Sequence, residues 1–200
     1  VGDLIDSEFV EDSIVKTVEA FGGLDILVLN AGLFPPTQRI EELDDETWSK
    51  TMALNLDANQ RLLRLCHPFL KLALNGGRVL VVGSKNVLAP GPGAAAYSAS
   101  KAAMTQVARV AALEWAADGI RVNVLHPNSV FDTNLWTSEI LEKRAQAYGM
   151  TVEEYKCRNL LKTEVSSHDV AEAACELCGP RFSKTTGAQV PIDGGEERVV

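Results

Sequence analysis

Four short, continuous apolar runs, separated by segments of helical length, constrain this chain more than any other feature. Leu24 to Asn30, Arg78 to Gly83, Arg121 to Leu125 and Ala188 to Ile192 lack apolar/polar alternation, the pattern of strands covered on both faces, as parallel strands are. Between them, Phe9 to Phe21 carries apolar residues at Phe9, Ile14, Val18 and Phe21 and ends in Gly22 and Gly23, which suit a helix C-cap. The segment from Leu43 to Leu74 opens on Asp44, Asp45 and Glu46, acids that favour a helix N-terminus; with Glu41 and Glu42 they read as a solvated cap rather than a metal site. Ala94 to Ala117 is alanine-rich and stops at Asp118 and Gly119. Strand and helix in alternation predict an α/β fold, a doubly wound parallel sheet with right-handed crossovers.

Composition narrows the partners. A chain of 200 residues with 46% hydrophobic content can bury one sizeable core. Its 19 basic and 27 acidic residues leave a net charge of -8, which repels phosphate backbones and anionic lipids and argues against nucleic acid and membrane partners. No apolar stretch approaches the roughly 20 residues that span a bilayer, and no basic segment precedes an apolar one at the start, so the cytoplasm is the expected compartment. Cys66 and Cys157 sit alone in helical patterns, Cys175 and Cys178 fall within one helix, and His67, His126 and His168 show no ligand spacing. The cysteines therefore read as reduced thiols.

In a sheet of this kind ligands bind outside the carboxyl ends of the strands, and three ends carry unusual residues. The first runs into Asn30, Ala31 and Gly32, where small residues suit either a ligand close to the backbone or a tight turn. The second runs into Gly83, Ser84 and Lys85, the third into His126, Pro127 and Asn128. Tyr97 and Lys101 lie one turn apart on one face of the alanine-rich helix. A phenol is a poor base at neutral pH, but a neighbouring ammonium favours its phenolate, so the pair is a candidate acid/base. Ser84 precedes Tyr97 across a loop of Pro90, Gly91, Pro92 and Gly93 that can fold the helix start back beside the strand end. There its hydroxyl is either an ordinary loop serine or a donor to a carbonyl oxygen. Asn55, an amide in the apolar setting of Met52, Leu54 and Leu56, is either a structural bracket or a group that positions water.

Together these residues resemble the short-chain dehydrogenases/reductases. The resemblance rests on Asn30-Ala31-Gly32 after a strand, Asn55 in the long helix, Ser84, Tyr97-Ser-Ala-Ser-Lys101, Arg121-Val-Asn123-Val and Ile192-Asp193-Gly194-Gly195, an ordered set reaching from the first strand to the last. It implies a Rossmann-type sheet and an oxidoreductase dependent on NAD or NADP, with NAD the first choice, acting on a small alcohol, aldehyde or ketone. By position, Tyr97 would be the acid/base and Ser84 would hold the substrate oxygen. Lys101 would bind the nicotinamide ribose and lower the Tyr97 pKa, and Asn55 would anchor a water in the proton relay. Asn30, Ala31 and Gly32 would border the adenosine side of the cofactor, with Asp3 and Leu4 at the adenine. Pro127, Asn128, Val130 and Thr133 would border the nicotinamide. The same resemblance implies a homodimer or homotetramer joined through the helices of 43–74 and 94–117.

Two departures from the family pattern stand out. Pro127-Asn128 replaces the usual Pro-Gly, and asparagine tolerates the left-handed backbone conformation expected there. The family's opening strand, Gly-rich turn and following strand have no counterpart, so residues 1–200 read as a single, partial domain lacking two βα units, about 60 residues on the scale of a βαβ motif. That loss would fall in the middle of a complete sheet. Beginning at Val1 without a methionine fits an absent N-terminal piece. His126 to Thr133, Tyr148 to Leu160 and Lys184 to Pro191 are similar to the dehydrogenase domain at the C-terminal end of bifunctional rhamnulose-1-phosphate aldolase/dehydrogenases, which implies lactaldehyde as substrate. Residues 134–165 are expected to form a helical insert whose Trp136, Tyr148 and Tyr155 either cover the substrate or pack as core. The alternative to an enzyme is a naturally truncated, non-catalytic binding or assembly module.

Overall fold

The computed structural model describes residues 1–196. Its sheet has four parallel strands in the order β1 (Ile26–Leu29), β2 (Arg78–Val82), β3 (Arg121–Pro127) and β4 (Gln189–Ile192). The ladder is unbroken: Leu27 pairs with Val79, Val79 with Val122, and Leu125 with Val190. Each strand falls within one of the four apolar runs or extends one by two residues.

Side-chain alternation along β2 and β3 divides the core between two helix layers. Val79, Val81, Val122 and Val124 pack with residues of three helices, α1 (Ser7–Phe21), α3 (Asn59–Leu70) and α4 (Ala95–Glu114). Leu80 and Leu125, each 0% exposed, pack on the opposite face with Leu177 and Cys178. Those last two belong to α7 (Ser167–Cys178). The outer strands depart from the expectation of cover on both faces. Ile26 and Val28 are 41% and 50% exposed on β1, because β1 is an edge strand among the described residues.

The helix boundaries follow their capping chemistry. Asp6 accepts the Glu8 and Phe9 amides to start α1, and Gly22, at φ 78°, closes it by donating to the Val18 carbonyl. The acids at 44–46 act as a cap, as expected, at the start of α2 (Asp45–Met52). The Asp44 carboxylate accepts the Thr47 amide, the Gln38 amide and the Thr47 hydroxyl, which hold its pKa down to about 2. Residues 43–74 are not one uniform helix, since a π-helical turn, Ala53–Ala58, joins α2 to α3. Alternation of small and polar residues lets α4 lie close to the sheet, with Ala96, Ser100, Ala108 and Ala112 buried.

The insert is less helical than expected. It contains α5 (Ser138–Ala147) and α6 (Val152–Lys156), the latter opened by a Thr151/Glu154 capping box, and its remainder is loop. Tyr155 is 2% exposed and Phe131 5%, and with Trp136, Leu141 and Ala145 they form a separate small core; Tyr148 stays 55% exposed. The four cysteines carry free thiols, and burial pushes the Cys66 thiol up to about 11. No helix among the described residues is long and apolar enough to cross a membrane.

Candidate active site

The loop after β2 brings Ser84 and Tyr97 together. Gly93, at φ 77°, turns the chain into α4, and its carbonyl accepts the Gln38 amide. Tyr97, in the first turn of α4, brings its hydroxyl near enough to the Ser84 side chain for the serine to favour its phenolate. The Ser84 hydroxyl also accepts the Asn86 amide at 3.1 Å. The Phe34 ring packs on the phenol with a centroid separation of 4.6 Å. One turn along α4, the Lys101 ammonium donates to the Val82 carbonyl at 2.8 Å and sits 5.9 Å from the Tyr97 ring centre. Ser84 and Lys101 are both 6% exposed.

This geometry revises one expectation. The Tyr97 pKa lies above its ordinary value, because burial disfavours the phenolate more than the nearby Ser84 side chain favours it. Lys101 does not hold it down here; its own pKa falls to about 8 through burial. Below about that pH the folded chain keeps an ammonium out of water at a cost. Above it, Lys101 releases its proton in the folded chain before it does in the unfolded one, where lysines titrate near 10.4. Stability relative to a Lys101→Met variant is therefore expected to rise with pH between those two values. Urea midpoints for the two proteins check this, and a difference that stays flat contradicts it.

Asn55 lies in the π-helical turn and is 0% exposed. Its amide oxygen accepts the Leu33 amide at 2.8 Å, and its nitrogen donates to the Leu33 carbonyl at 2.9 Å and the Ser100 hydroxyl at 3.0 Å. Both donors are used and one oxygen lone pair remains, so the side chain is foremost a bracket for the segment after β1. Asn59 extends the bracket by donating to the Ala31 carbonyl at 3.3 Å. A methyl group on Gly32 would come within 3.1 Å of the Asn55 oxygen and 3.4 Å of the Lys101 nitrogen. The small residues of Asn30 to Gly32 thus admit Asn55 and Lys101. Asp3 accepts the Ile5 amide, and Leu4 packs against the main core just ahead of α1.

Beyond β3, Pro127 closes the strand and the Asn128 amide donates to the Ile192 carbonyl. The left-handed residue is Ser129, at φ 54°, and not Asn128. Asn128 and Ser129 instead direct their side chains to Glu196, which also pairs with Arg158 of the insert. The Arg158 guanidinium lies 4.6 Å from the centres of both the Tyr148 and Tyr155 rings. Val130 bridges to Val165, and Thr133 donates to the Val130 carbonyl.

Three buried groups near Ser84 were given no role by the sequence. His126, 1% exposed, places Nδ1 3.2 Å from the Ser84 nitrogen and 3.0 Å from its carbonyl oxygen, while Nε2 contacts Gln189 at 2.7 Å. A methyl group on Gly83 would come within 2.7 Å of His126 Nδ1, so the glycine is what admits the imidazole. Lys85 and Asp193 form a buried ion pair. A histidine inside an otherwise apolar strand and a lysine directly after the strand-end serine were the available signals.

Known proteins resemble this chain along most of its length. A family profile described as enoyl-(acyl carrier protein) reductase matches residues 1–197. The uncharacterized oxidoreductase YuxG of Bacillus subtilis is 34% identical over 96% of this chain, and the short chain dehydrogenase/reductase astE of Aspergillus oryzae is 31% identical over 96%. The chain spans 29% of the Bacillus protein's length and 72% of the Aspergillus protein's. A crystal structure of a dehydrogenase/reductase from Sinorhizobium meliloti superposes with a TM-score of 0.84 at 34% identity, covering 98% of this chain and 73% of that one. With the Tyr97, Lys101 and Ser84 cluster on a parallel sheet of this order, these likenesses show that the chain belongs to the short-chain dehydrogenase/reductase family.

Proposed function

We propose that these residues are the catalytic and substrate-binding part of an NAD(P)-dependent oxidoreductase that interconverts a small alcohol and its aldehyde or ketone. The observation that carries this reading is the gathering of Tyr97 beside the buried Ser84, with buried Lys101 one helical turn on and 5.9 Å from the Tyr97 ring centre. It favours catalysis over a binding or assembly module.

The residues fit the nicotinamide-ribose end of a dinucleotide. Lys101 donates one bond to Val82, so two N–H directions remain for ribose hydroxyls. Bound there, the dinucleotide supplies or accepts the hydride. Ser84 donates to the substrate oxygen, and Tyr97 gives that oxygen its proton during reduction and withdraws it during oxidation. Asn55, through Leu33, holds the adjoining turn so that these groups keep their places. Residues 134–165 act as a lid; Asn128, Val130 and Thr133 line its hinge side, and the aromatic core around Tyr155 keeps it rigid. Lactaldehyde is the proposed substrate, NAD the first cofactor to test, and the cytoplasm, whose reducing conditions suit four free thiols, the proposed compartment.

Two or four chains would join through α3 and α4. An open crevice of about 590 Å³ between them is lined by Leu63, His67, Val107, Val110, Ala111 and Trp115.

The Tyr97 pKa sets the pH dependence. At neutral pH the phenol carries its proton, ready for carbonyl reduction, while oxidation needs the scarce phenolate. Alcohol oxidation is therefore expected to climb by up to about tenfold per pH unit above neutrality, and carbonyl reduction to stay level and then fall. Initial rates in both directions across this range test the reading; an oxidation rate independent of pH contradicts it.

A further inference from the structure

The reaction outlined above makes no use of the ion pair buried behind Ser84. The Lys85 ammonium lies 2.5 Å from the Asp193 carboxylate, and their side chains are only 2% and 6% exposed. The other Asp193 oxygen accepts the Gly195 amide at 2.8 Å. Attraction within such a pair must offset the removal of two charges from water, so it is a weak source of stability. It does fix position, because a buried charge cannot leave its partner without large cost.

What it fixes can be traced on both sides. On the β2 side, the residue before Lys85 is Ser84, whose hydroxyl meets Tyr97 and whose backbone lies against His126. On the β4 side, Asp193 enters the turn of Gly194 and Gly195, at φ 64° and 75°, and the turn delivers Glu196. Glu196 receives Asn128, Ser129 and Arg158. One contact, between residues 108 apart in sequence, thus connects the proton-transfer pair to the loop after β3 and to the insert.

We propose that Lys85 and Asp193 are a positioning pair, which holds the Ser84 hydroxyl against Tyr97 and ties that placement to the Glu196-anchored loop and insert. The proposal rests on the assignment of Ser84 and Tyr97 to proton transfer. Substituting Lys85 alone strands the buried Asp193 carboxylate. The test therefore uses Lys85→Met with Asp193→Asn, which removes both charges and keeps an acceptor for the Gly195 amide.

The first measurement needs no turnover. The Tyr97 phenol is titrated in the full-length protein by NMR of labelled tyrosine, its signal identified with Tyr97→Phe. The pair variant and Ser84→Ala are both expected to titrate higher than the unaltered protein, while Tyr148 stays unchanged. A Tyr97 titration identical to that of the unaltered protein overturns the proposal. The second measurement is kinetic. The pair variant should lose about tenfold or more in kcat, with cofactor KM little changed, and should cost nothing further in a Ser84→Ala background. An unchanged kcat, or losses that multiply with Ser84→Ala, overturns it. An unaltered protein without turnover counts against the proposed function, and the titration still decides on the pair. Should the double variant not fold, Asp193→Glu, which keeps both charges but displaces the carboxylate, carries the same titration test.

Discussion

Tyr97→Phe is expected to lower turnover by about 10²- to 10⁴-fold, the range that a positioned acid/base contributes. The loss should fall on kcat, because a phenylalanine ring keeps the packing against Phe34 and leaves Lys101 bonded to Val82. Ser84 keeps the Asn86 amide as a partner, so no buried hydroxyl is orphaned and the fold should lose no more than about 1 kcal/mol. Steady-state rates with cofactor-binding titrations separate the two effects. Near-complete activity in the variant would remove Tyr97 from proton transfer.

Asn55→Ala is expected to act mainly on stability. The substitution removes the partner of the half-buried Leu33 amide and carbonyl, since both bond to the Asn55 side chain. Each orphaned group costs roughly 1–3 kcal/mol. Ser100 loses a donor but still bonds to the Tyr97 carbonyl at 2.8 Å. Urea unfolding should show a correspondingly lower midpoint with an unchanged slope. Any folded protein that remains should turn over slowly, because the turn that Asn55 holds lies beside Lys101. A midpoint within error of the unaltered protein would mean that Leu33 finds other partners and that Asn55 is no bracket.

The parts of the fold that were legible are those with local causes. Apolar runs without alternation marked the four strands, Gly22 marked the end of α1, and Asp44 marked the start of α2. Helix spacing and the strand-end rule singled out Ser84, Tyr97 and Lys101 as candidates, and the family resemblance joined them into one cluster. The rest depended on pairings far apart in sequence. Lys85 meets Asp193 and Asn128 meets Glu196, and nothing near either lysine or asparagine announces its partner. The π-helical turn at Asn55 follows from the pull of Leu33 and Ser100 across the core, which periodicity does not register. The Tyr97 pKa went the other way from the spacing argument because burial, a property of the assembled fold, outweighs what the Ser84 side chain contributes.

The central claim is that Tyr97, Ser84 and Lys101 move a proton in step with nicotinamide-dependent hydride transfer. Its most direct test is to incubate the full-length protein with NADH or NADPH and a series of small aldehydes and ketones, lactaldehyde among them, following the nicotinamide absorbance. The account predicts carbonyl-dependent oxidation of one cofactor, with the matching alcohol formed in equal amount. Cofactor oxidation that never depends on a carbonyl compound, or none at all with either cofactor across the series, would contradict it.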